Sequence, residues 1–407
     1  MKKTILYISY DGMTDPLGQS QVLPYLVGLS KEGYEFTLLS FEKKKRYEQN
    51  KTIIQKICTE NNIRWIPEMF STRPPVLSKI YDNWRMKKKS LQLHKEFRFD
   101  FIHCRSYVAA AAGLYLKRRC KLPFLFDMRG FWVDERVDNG QWNLKNPIYR
   151  LFYKIYKQKE RKYFKESAHI ISLTENGKEE LVTNYSVSED KISVIPCCVD
   201  LAHFDYTKIS EDEINTLRQK HHIEKDDKIL TYLGSLGGWY LTDEMLDFFK
   251  LLKEKKPASK FLFITQNKKE EVLSKAVPKG ILENDIIVVP AGRNEVPGLL
   301  ALSRWSIFFI KDAYSKKASS PTKQGEIMAM GIPIICNDIG DTGRIVESGG
   351  TGIVLKNFSD ATLRAAIVNL SSIQELTKKQ IRESAFVYYD LRKGIEVYKS
   401  VYHLLAQ

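Results

Sequence analysis

Short apolar runs recur along this chain, each followed by a stretch with helical spacing, and the series begins again halfway. The first series is Thr4–Ser9, Glu35–Ser40, Asp100–Cys104, Pro123–Asp127, His169–Leu173 and Ile192–Ile195. The second is Lys228–Leu233, Phe261–Ile264, Ile286–Val289, Trp305–Ile310 and Ile332–Cys336. Runs apolar on both faces suit strands of a parallel sheet covered by helices on either side. The intervening stretches, such as residues 19–31 with Val22, Leu23, Leu26 and Leu29 on one side, read as the covering helices. The pattern predicts an α/β protein of two Rossmann-like, doubly wound domains. A chain of 407 residues, 43% hydrophobic, has the length and apolar content for two cores. The spacing repeats without a sequence repeat, which sets a solenoid aside.

Open sheets of this kind bind ligands beyond the carboxyl ends of their strands. Four places there carry unusual chemistry. Asp15-Pro-Leu-Gly-Gln-Ser20 follows the first strand. Gly18 lets backbone approach a ligand, and the amides of Gln19 and Ser20 are expected to open a helix. The loop is no G-x-G-x-x-G, and the second strand, read as ending at Ser40, closes without an acidic residue, so a dinucleotide site is a poor match. Gly234, Ser235 and Gly237 lie at the same relative place in the second half.

The third place is Phe126-Asp-Met-Arg-Gly-Phe-Trp-Val-Asp-Glu-Arg136. Asp127, Arg129, Asp134, Glu135 and Arg136 crowd one loop, either as groups that orient and deprotonate a hydroxyl or as an ion-pair network. Arg105 ends the preceding strand. His103, between Ile102 and Cys104, is read as a packed histidine as readily as a functional one.

The fourth is Ser319-Ser-Pro-Thr-Lys-Gln-Gly-Glu326, running into Ile327-Met-Ala-Met-Gly-Ile-Pro-Ile334. Ser319 and Ser320 are N-cap candidates, Pro321 suits a first helical turn, and Gly331 suits a helix end. A helix N-terminus with Lys323 beside it is an anion site. Glu326, one turn further, suits a sugar diol instead. Ser320, Pro321, Thr322, Lys323 and Glu326 therefore read as a site for phosphate plus sugar, or else as an ordinary capped helix with solvated charges.

Ser-Pro-Thr-Lys-x-Gly-Glu-x-Met-Ala-x-Gly-Ile-Pro-Ile resembles the donor-binding signature of family-4 glycosyltransferases of the GT-B fold. The resemblance extends over nearly the whole chain and is strongest at residues 5–40, 124–142, 229–240 and 319–341. It implies two domains facing a cleft, at 1–205 on the acceptor side and 206–385 on the nucleotide-sugar side. A terminal helix, 386–407, would return to the first domain. It implies a retaining, metal-independent sugar transferase of the hexosyltransferase type, moving sugar from a UDP- or GDP-linked donor to a glycan or lipid-linked acceptor in surface polysaccharide synthesis. Glu326 matches the glutamate that holds the ribose. Lys323 would stabilise charge on the leaving diphosphate. The residue 15–20 loop and Gly234–Gly237 would face donor phosphates, and Arg293 would border the base, if it is not simply an exposed loop residue. Asp127 or Arg129 stands where relatives place a catalytic histidine, and Arg105, Asp134, Glu135 and Arg136 fall on the acceptor side. At one position the chain departs from the pattern: Ala318 replaces a glutamate that contacts the transferred sugar.

The net charge of +15 points to anionic partners. Basic residues interleave with aromatics at Tyr149–Lys165, and basic clusters stand at Arg85–Lys89 and Lys117–Arg119. This suits an anionic membrane surface, single-stranded nucleic acid or a merely solubilising face. A nucleic-acid role leaves the Pro-Thr-Lys-x-Gly-Glu stretch without a purpose, so none is expected. The six cysteines (58, 104, 120, 197, 198 and 336) show no metal or disulfide spacing. No Asp-x-Asp or histidine pair stands where a metal would need it, and no metal or other cofactor is expected. Met1–Ser9 imitates the start of a leader, but its apolar run stops at Asp11. No run reaches the roughly 20 apolar residues of a membrane span. The expected location is cytoplasmic, with peripheral contact to the inner face of a membrane. Two rival functions remain: a nucleotide-sugar epimerase on the same fold, which needs no acceptor, and a two-domain sugar-binding protein without catalysis.

Overall fold

The computed structural model describes residues 3–406, so Met1 and Lys2, which begin the leader-like stretch, fall outside it. The chain forms two compact units. The first takes the chain up to Pro196, the segment Tyr314–Ser319 and everything from Leu391 on. The second takes Cys197–Ala313 and Ser320–Asp390.

The first unit holds seven parallel strands: β1 (Lys3–Ser9), β2 (Tyr34–Glu42), β3 (Arg64–Met69), β4 (Phe101–Arg105), β5 (Phe124–Asp127), β6 (His169–Ser172) and β7 (Ile192–Val194). Their order is β3-β2-β1-β4-β5-β6-β7. The second holds six: β8 (Lys228–Leu233), β9 (Ser259–Ile264), β10 (Ile286–Val289), β11 (Trp305–Phe308), β12 (Ile334–Asn337) and β13 (Gly352–Leu355). They lie in the order β10-β9-β8-β11-β12-β13, all pairs parallel. The apolar runs are the sheet centres: Ile5, Leu6, Ile8, Ile102, Phe124, Phe126, Ile229, Leu230, Ile307 and Ile334 have no exposed surface. Burying one such side chain contributes about 1.5–3 kcal/mol, which pins the register of the central strands.

Two strands lie outside the expected series, and both are at sheet edges. β3 alternates charge with bulk and carries Pro67, tolerable only at an edge. β13 is four residues long and only partly buried. The helix expected over residues 19–31 is in fact two, Pro16–Gln21 and Leu23–Lys31, broken at Val22 (φ −127°, ψ −63°). Pro24 lacks the N–H that a continuous helix would use.

β2 runs two residues past Ser40, to Glu42, so an acidic residue does end the second strand. Its carboxylate faces inward and is wholly buried. It accepts from the Met13 amide at 2.7 Å, the Thr14 amide at 3.1 Å, the Thr14 hydroxyl and the Ser40 hydroxyl at 2.6 Å. Glu42 is thus the anchor of the loop after β1.

The unit boundary at Pro196 precedes the expected one at 205, and the capture of Tyr314–Ser319 by the first unit has no counterpart in the expected layout. The physical cause is a dense set of contacts. Tyr314 stacks on Phe131 with ring centroids 5.3 Å apart and donates to Glu180 at 2.9 Å. The Ser315 amide donates to Asp138 at 2.9 Å, and Lys316 Nζ lies 2.9 Å from Glu135. The terminal helix, Leu391–Leu405, packs on Leu23–Lys31 within this same unit. Among the described residues no helix is long and apolar enough to cross a membrane.

Candidate functional site

In the second unit the organising stretch forms a helix over Thr322–Ala329. Pro321 occupies the N-cap position and no side chain caps the helix. The two serines do not serve it as expected: the Ser320 hydroxyl accepts from the Cys197 amide at 3.1 Å, and Ser319 belongs to the first unit. The first-turn amides, which include those of Thr322 and Lys323, are left without a side-chain acceptor. Gly331 (φ 68°) closes the helix end, a backbone state cheap only for glycine.

Lys323 does not extend into solvent. It is 7% exposed, and its Nζ has no hydrogen-bond partner among the described residues. The ammonium lies 3.5 Å from the ring centroid of Tyr240 and 4.2 Å from that of Tyr232. Ring faces attract a cation, but they do not replace its hydration. Burial therefore drives the Lys323 pKa well down, opposed only by Glu326. Gly234 (φ 130°) follows β8 directly, and a Cβ there would meet Nζ at 2.6 Å, so glycine makes the room. The Ser235 carbonyl accepts from Tyr232 at 2.6 Å, which fixes that ring under the lysine. Gly237 (φ 67°) continues the turn. Glu326 is held near Arg293, with Nη1 to Oε1 at 3.7 Å, and burial raises its pKa against the pull of Arg293 and Lys323. Arg293 also lies over Phe204, 5.5 Å from its centroid. Lys323, Glu326, Arg293 and the Gly234–Gly237 turn thus gather on one side of the second unit, a cation beside an open helix end with a carboxylate a turn away. Such a set has the chemistry to neutralise an anion and to hydrogen-bond a diol.

In the first unit, Asp127 ends β5 with no exposed surface. Arg105 Nη1 approaches its Oδ2 at 3.7 Å and Arg129 Nη1 its Oδ1 at 3.7 Å. His103 Nε2 is 3.6 Å from Oδ2, and Tyr398 donates to Oδ2 at 3.2 Å. Burial alone would raise the Asp127 pKa, but Arg129, His103 and Arg105 together hold it below the ordinary value. A buried carboxylate kept charged in this way is a poor proton acceptor and a good organiser of guanidiniums. Arg129 (φ 59°) and Ser106 (φ 68°) sit in the left-handed region just past β5 and β4. Such backbone costs on the order of 1–3 kcal/mol and clusters at functional sites.

The other loop charges are spent on structure. Asp134 is buried and accepts from Tyr153 and Lys157, each at 2.8 Å. Glu135 pairs with Lys316, and Arg136 lies 4.8 Å from the Trp132 ring centroid. These three do not join Arg105, Asp127 and Arg129. The residue 15–20 loop also departs from expectation. Its helix opens at Pro16, so the Gln19 amide is already bonded to the Asp15 carbonyl at 3.1 Å. The Ser20 hydroxyl is turned back to the Pro16 carbonyl. Gly18 is needed because a Cβ would meet the Gly12 carbonyl oxygen at 2.3 Å. Asp15 pairs with Lys43 and Arg46. As folded, this loop offers neither of the expected amides to a phosphate.

Ala318, the departure from the family pattern, is wholly buried in the first unit. Its Cβ lies 2.8 Å from where a Cβ on Gly177 would stand. The Tyr232–Tyr240 bed of Lys323 and the two tyrosines of the terminal helix were not legible as site residues. Among the described residues no group of three or more His, Cys, Asp or Glu is arranged to hold a metal ion.

Two Rossmann-like parallel-sheet units, one with a lysine-bearing helix start, define the GT-B class of sugar transferases. Residues 21–203 match Glycosyltransferase Family 4, and residues 213–385 match Glycosyl transferases group 1. The chain belongs to the group 1 glycosyltransferases. A D-inositol 3-phosphate glycosyltransferase of Pseudarthrobacter chlorophenolicus is 22% identical over 262 residues, 63% of this chain and 59% of that protein. An uncharacterized glycosyltransferase of Methanocaldococcus jannaschii is 24% identical over 139 residues, 34% of this chain and 33% of its own length. The matched stretches thus span less than two thirds of either curated relative. Among solved structures, a Rickettsia africae glycosyltransferase shares 15% identity with a TM-score of 0.74, covering 100% of this chain and 99% of its own. Anabaena HepE in complex with UDP and glucose has a TM-score of 0.70 at 13% identity, covering 98% and 99%. At these identities the likeness concerns the fold.

Proposed function

We propose that this protein transfers a sugar, with retention of configuration, from a UDP- or GDP-linked donor to a glycan or lipid-linked acceptor in surface polysaccharide synthesis. The observation that carries the donor half is Lys323: a buried ammonium without a hydrogen-bonding anion, at an uncapped helix start, one turn from Glu326. A diphosphate arriving there replaces the lost hydration, and the charge that grows on it during departure is stabilised by the same ammonium. Glu326 takes the ribose diol. Arg105 and Arg129, set by Asp127, serve the acceptor side. Retention and the acceptor class rest on the family resemblance. The test is a thermal-shift panel of nucleotide-sugars on the full chain, followed by product analysis with and without acceptor glycans. Stabilisation by no nucleotide-sugar sinks the donor reading, and product formed without acceptor favours epimerisation.

The helix Pro147–Glu166 supports peripheral membrane contact. It turns Tyr163, Phe164 and Glu160 inward and leaves Ile148, Leu151 and Ile155 exposed among Arg150, Lys154 and Lys159. Tyr153 and Tyr156, counted in the basic-aromatic face from sequence, pack instead against Asp134 and the Trp132–Trp142 pair. Flotation with anionic vesicles is expected at low salt and lost at high salt. Absence of binding at low salt removes the membrane from the proposal.

A further inference from the structure

We infer that Tyr398 and Tyr402 of the terminal helix are positioning residues that set the Asp127 carboxylate, and through it Arg105 and Arg129, for the transfer reaction. This rests on the reading in which that cluster serves the acceptor side.

Tyr402 places its hydroxyl 2.7 Å from His103 Nδ1, and both residues are buried. Burial pushes the phenol pKa up and the imidazole pKa down, so the phenol keeps its proton and the ring is neutral. A bare Nε2 lone pair would face the Asp127 carboxylate, so Tyr402 donates to Nδ1 and the ring proton is assigned to Nε2. That nitrogen faces Asp127 Oδ2 at 3.6 Å. Tyr398 donates to the same oxygen at 3.2 Å. Oδ2 thus accepts from Tyr398 on one side and faces the imidazole edge at electrostatic range on the other, with Oδ1 on the Arg129 side. The neutral imidazole would otherwise exist in either tautomer.

The two phenols are held by packing on residues of this unit. Tyr398 meets Tyr25 edge-on at 5.4 Å, and Tyr402 meets Phe101 at 4.9 Å and Tyr34 at 5.2 Å. The helix itself is seated at Gly28, where a Cβ would lie 2.2 Å from Ile395 Cδ1. A rigid ring with its hydroxyl aimed at the supporting shell of a site is what precise positioning requires.

The test uses the full chain with Tyr398→Phe and Tyr402→Phe, each of which removes one oxygen and keeps the ring. Nitrogen NMR of ring-labelled histidines should show His103 as the Nε2–H tautomer in the wild-type protein and a mixture in Tyr402→Phe. Transfer turnover should fall about tenfold or more in Tyr398→Phe, which loses a hydrogen bond to a charged group, and about twofold to tenfold in Tyr402→Phe, which loses one to a neutral ring. Affinity for UDP and GDP should stay unchanged, because the nucleotide reading lies in the second unit. An unaltered His103 tautomer in Tyr402→Phe, or wild-type turnover in both variants, overturns the proposal. A wild-type protein without any transfer activity sinks the proposed function, and the nitrogen spectra then judge the hydrogen-bond chain on their own.

Discussion

Lys323 Nζ and the ring of Tyr240 face each other at 3.5 Å, and the ring takes the place that water or an anion would hold. The lysine is thereby stored in a state of high free energy for a cation. Its pKa is lowered, so between the lowered value and the ordinary one the unfolded chain binds more protons here than the folded one. By linkage the stability of the unliganded protein should rise with pH between the lowered value and the ordinary one near 10.4. Lys323→Met should remove that slope and raise unliganded stability by about 1–3 kcal/mol, the cost of a buried polar group left without a hydrogen bond. The same variant should lose roughly 10²–10³ in kcat. Calorimetry should find proton uptake on UDP or GDP binding in the wild-type protein and none in the variant. Equal stability and equal turnover would show the lysine to be a bystander.

In the proposed reading Glu326 would hold the ribose, the part of the donor that does not change during transfer. Glu326→Gln should therefore weaken nucleotide binding by about 1.5–3 kcal/mol, the value of a hydrogen bond to a charged group, with a smaller effect on kcat. Titration with UDP and GDP measures the first, and turnover at saturating donor measures the second. An effect on kcat alone would contradict the ribose assignment.

Glu42 satisfies two backbone amides and two hydroxyls from a wholly buried position. Glu42→Gln turns one acceptor oxygen into a donor facing other donors. The expected cost is at least about 1–3 kcal/mol of stability, read as a lower urea midpoint. A neutral result would mean that the loop after β1 reorganises freely.

Ala318→Glu restores the family's residue in sequence but not in space. The Cβ points at Gly177, and the added carboxylate would have to enter packed structure. The variant should lose about 1–3 kcal/mol and gain no turnover. Higher activity would show that position 318 can still reach a donor sugar.

Removal of metal should leave transfer intact. Excess chelator is expected to have no effect on rate, because Lys323 and the helix start supply the positive field that a diphosphate-bridging ion supplies elsewhere. Loss of activity restored by Mg²⁺ or Mn²⁺ would reveal a site formed only with donor bound.

How far the sequence led depended on whether a residue's role is local. The central strands were legible because burial on both faces writes an uninterrupted apolar run. β3 was not, since Pro67 and Glu68 interrupt its run, and β13 was not, since its short run opens on Gly352 directly behind Gly349, Gly350 and Thr351, which read as a turn. The Thr322–Ala329 helix was legible from Pro321 and Gly331, which act within a few residues. The bed of Lys323 was not: Tyr232 and Tyr240 lie some ninety and eighty positions upstream, and only the fold brings their rings beneath the ammonium. Glu42 was missed because the second strand was ended two residues early. Asp134 and Glu135 looked like site residues because a run of charges carries no sign of which partners will consume it.

The first unit is sewn from three pieces of chain, and its last pieces are Tyr314–Ser319 and the helix that begins at Leu391. On the ribosome its strands emerge first, yet it is the last to be finished. The second unit, whose final residue is Asp390, takes nothing from the terminal helix. Until that helix is made, Asp127 and His103 lack the phenols of Tyr398 and Tyr402. Order of synthesis and order of completion run opposite ways in this molecule. A chain released early at any point before residue 391 therefore carries all thirteen strands at most, and never the assembled Asp127 cluster.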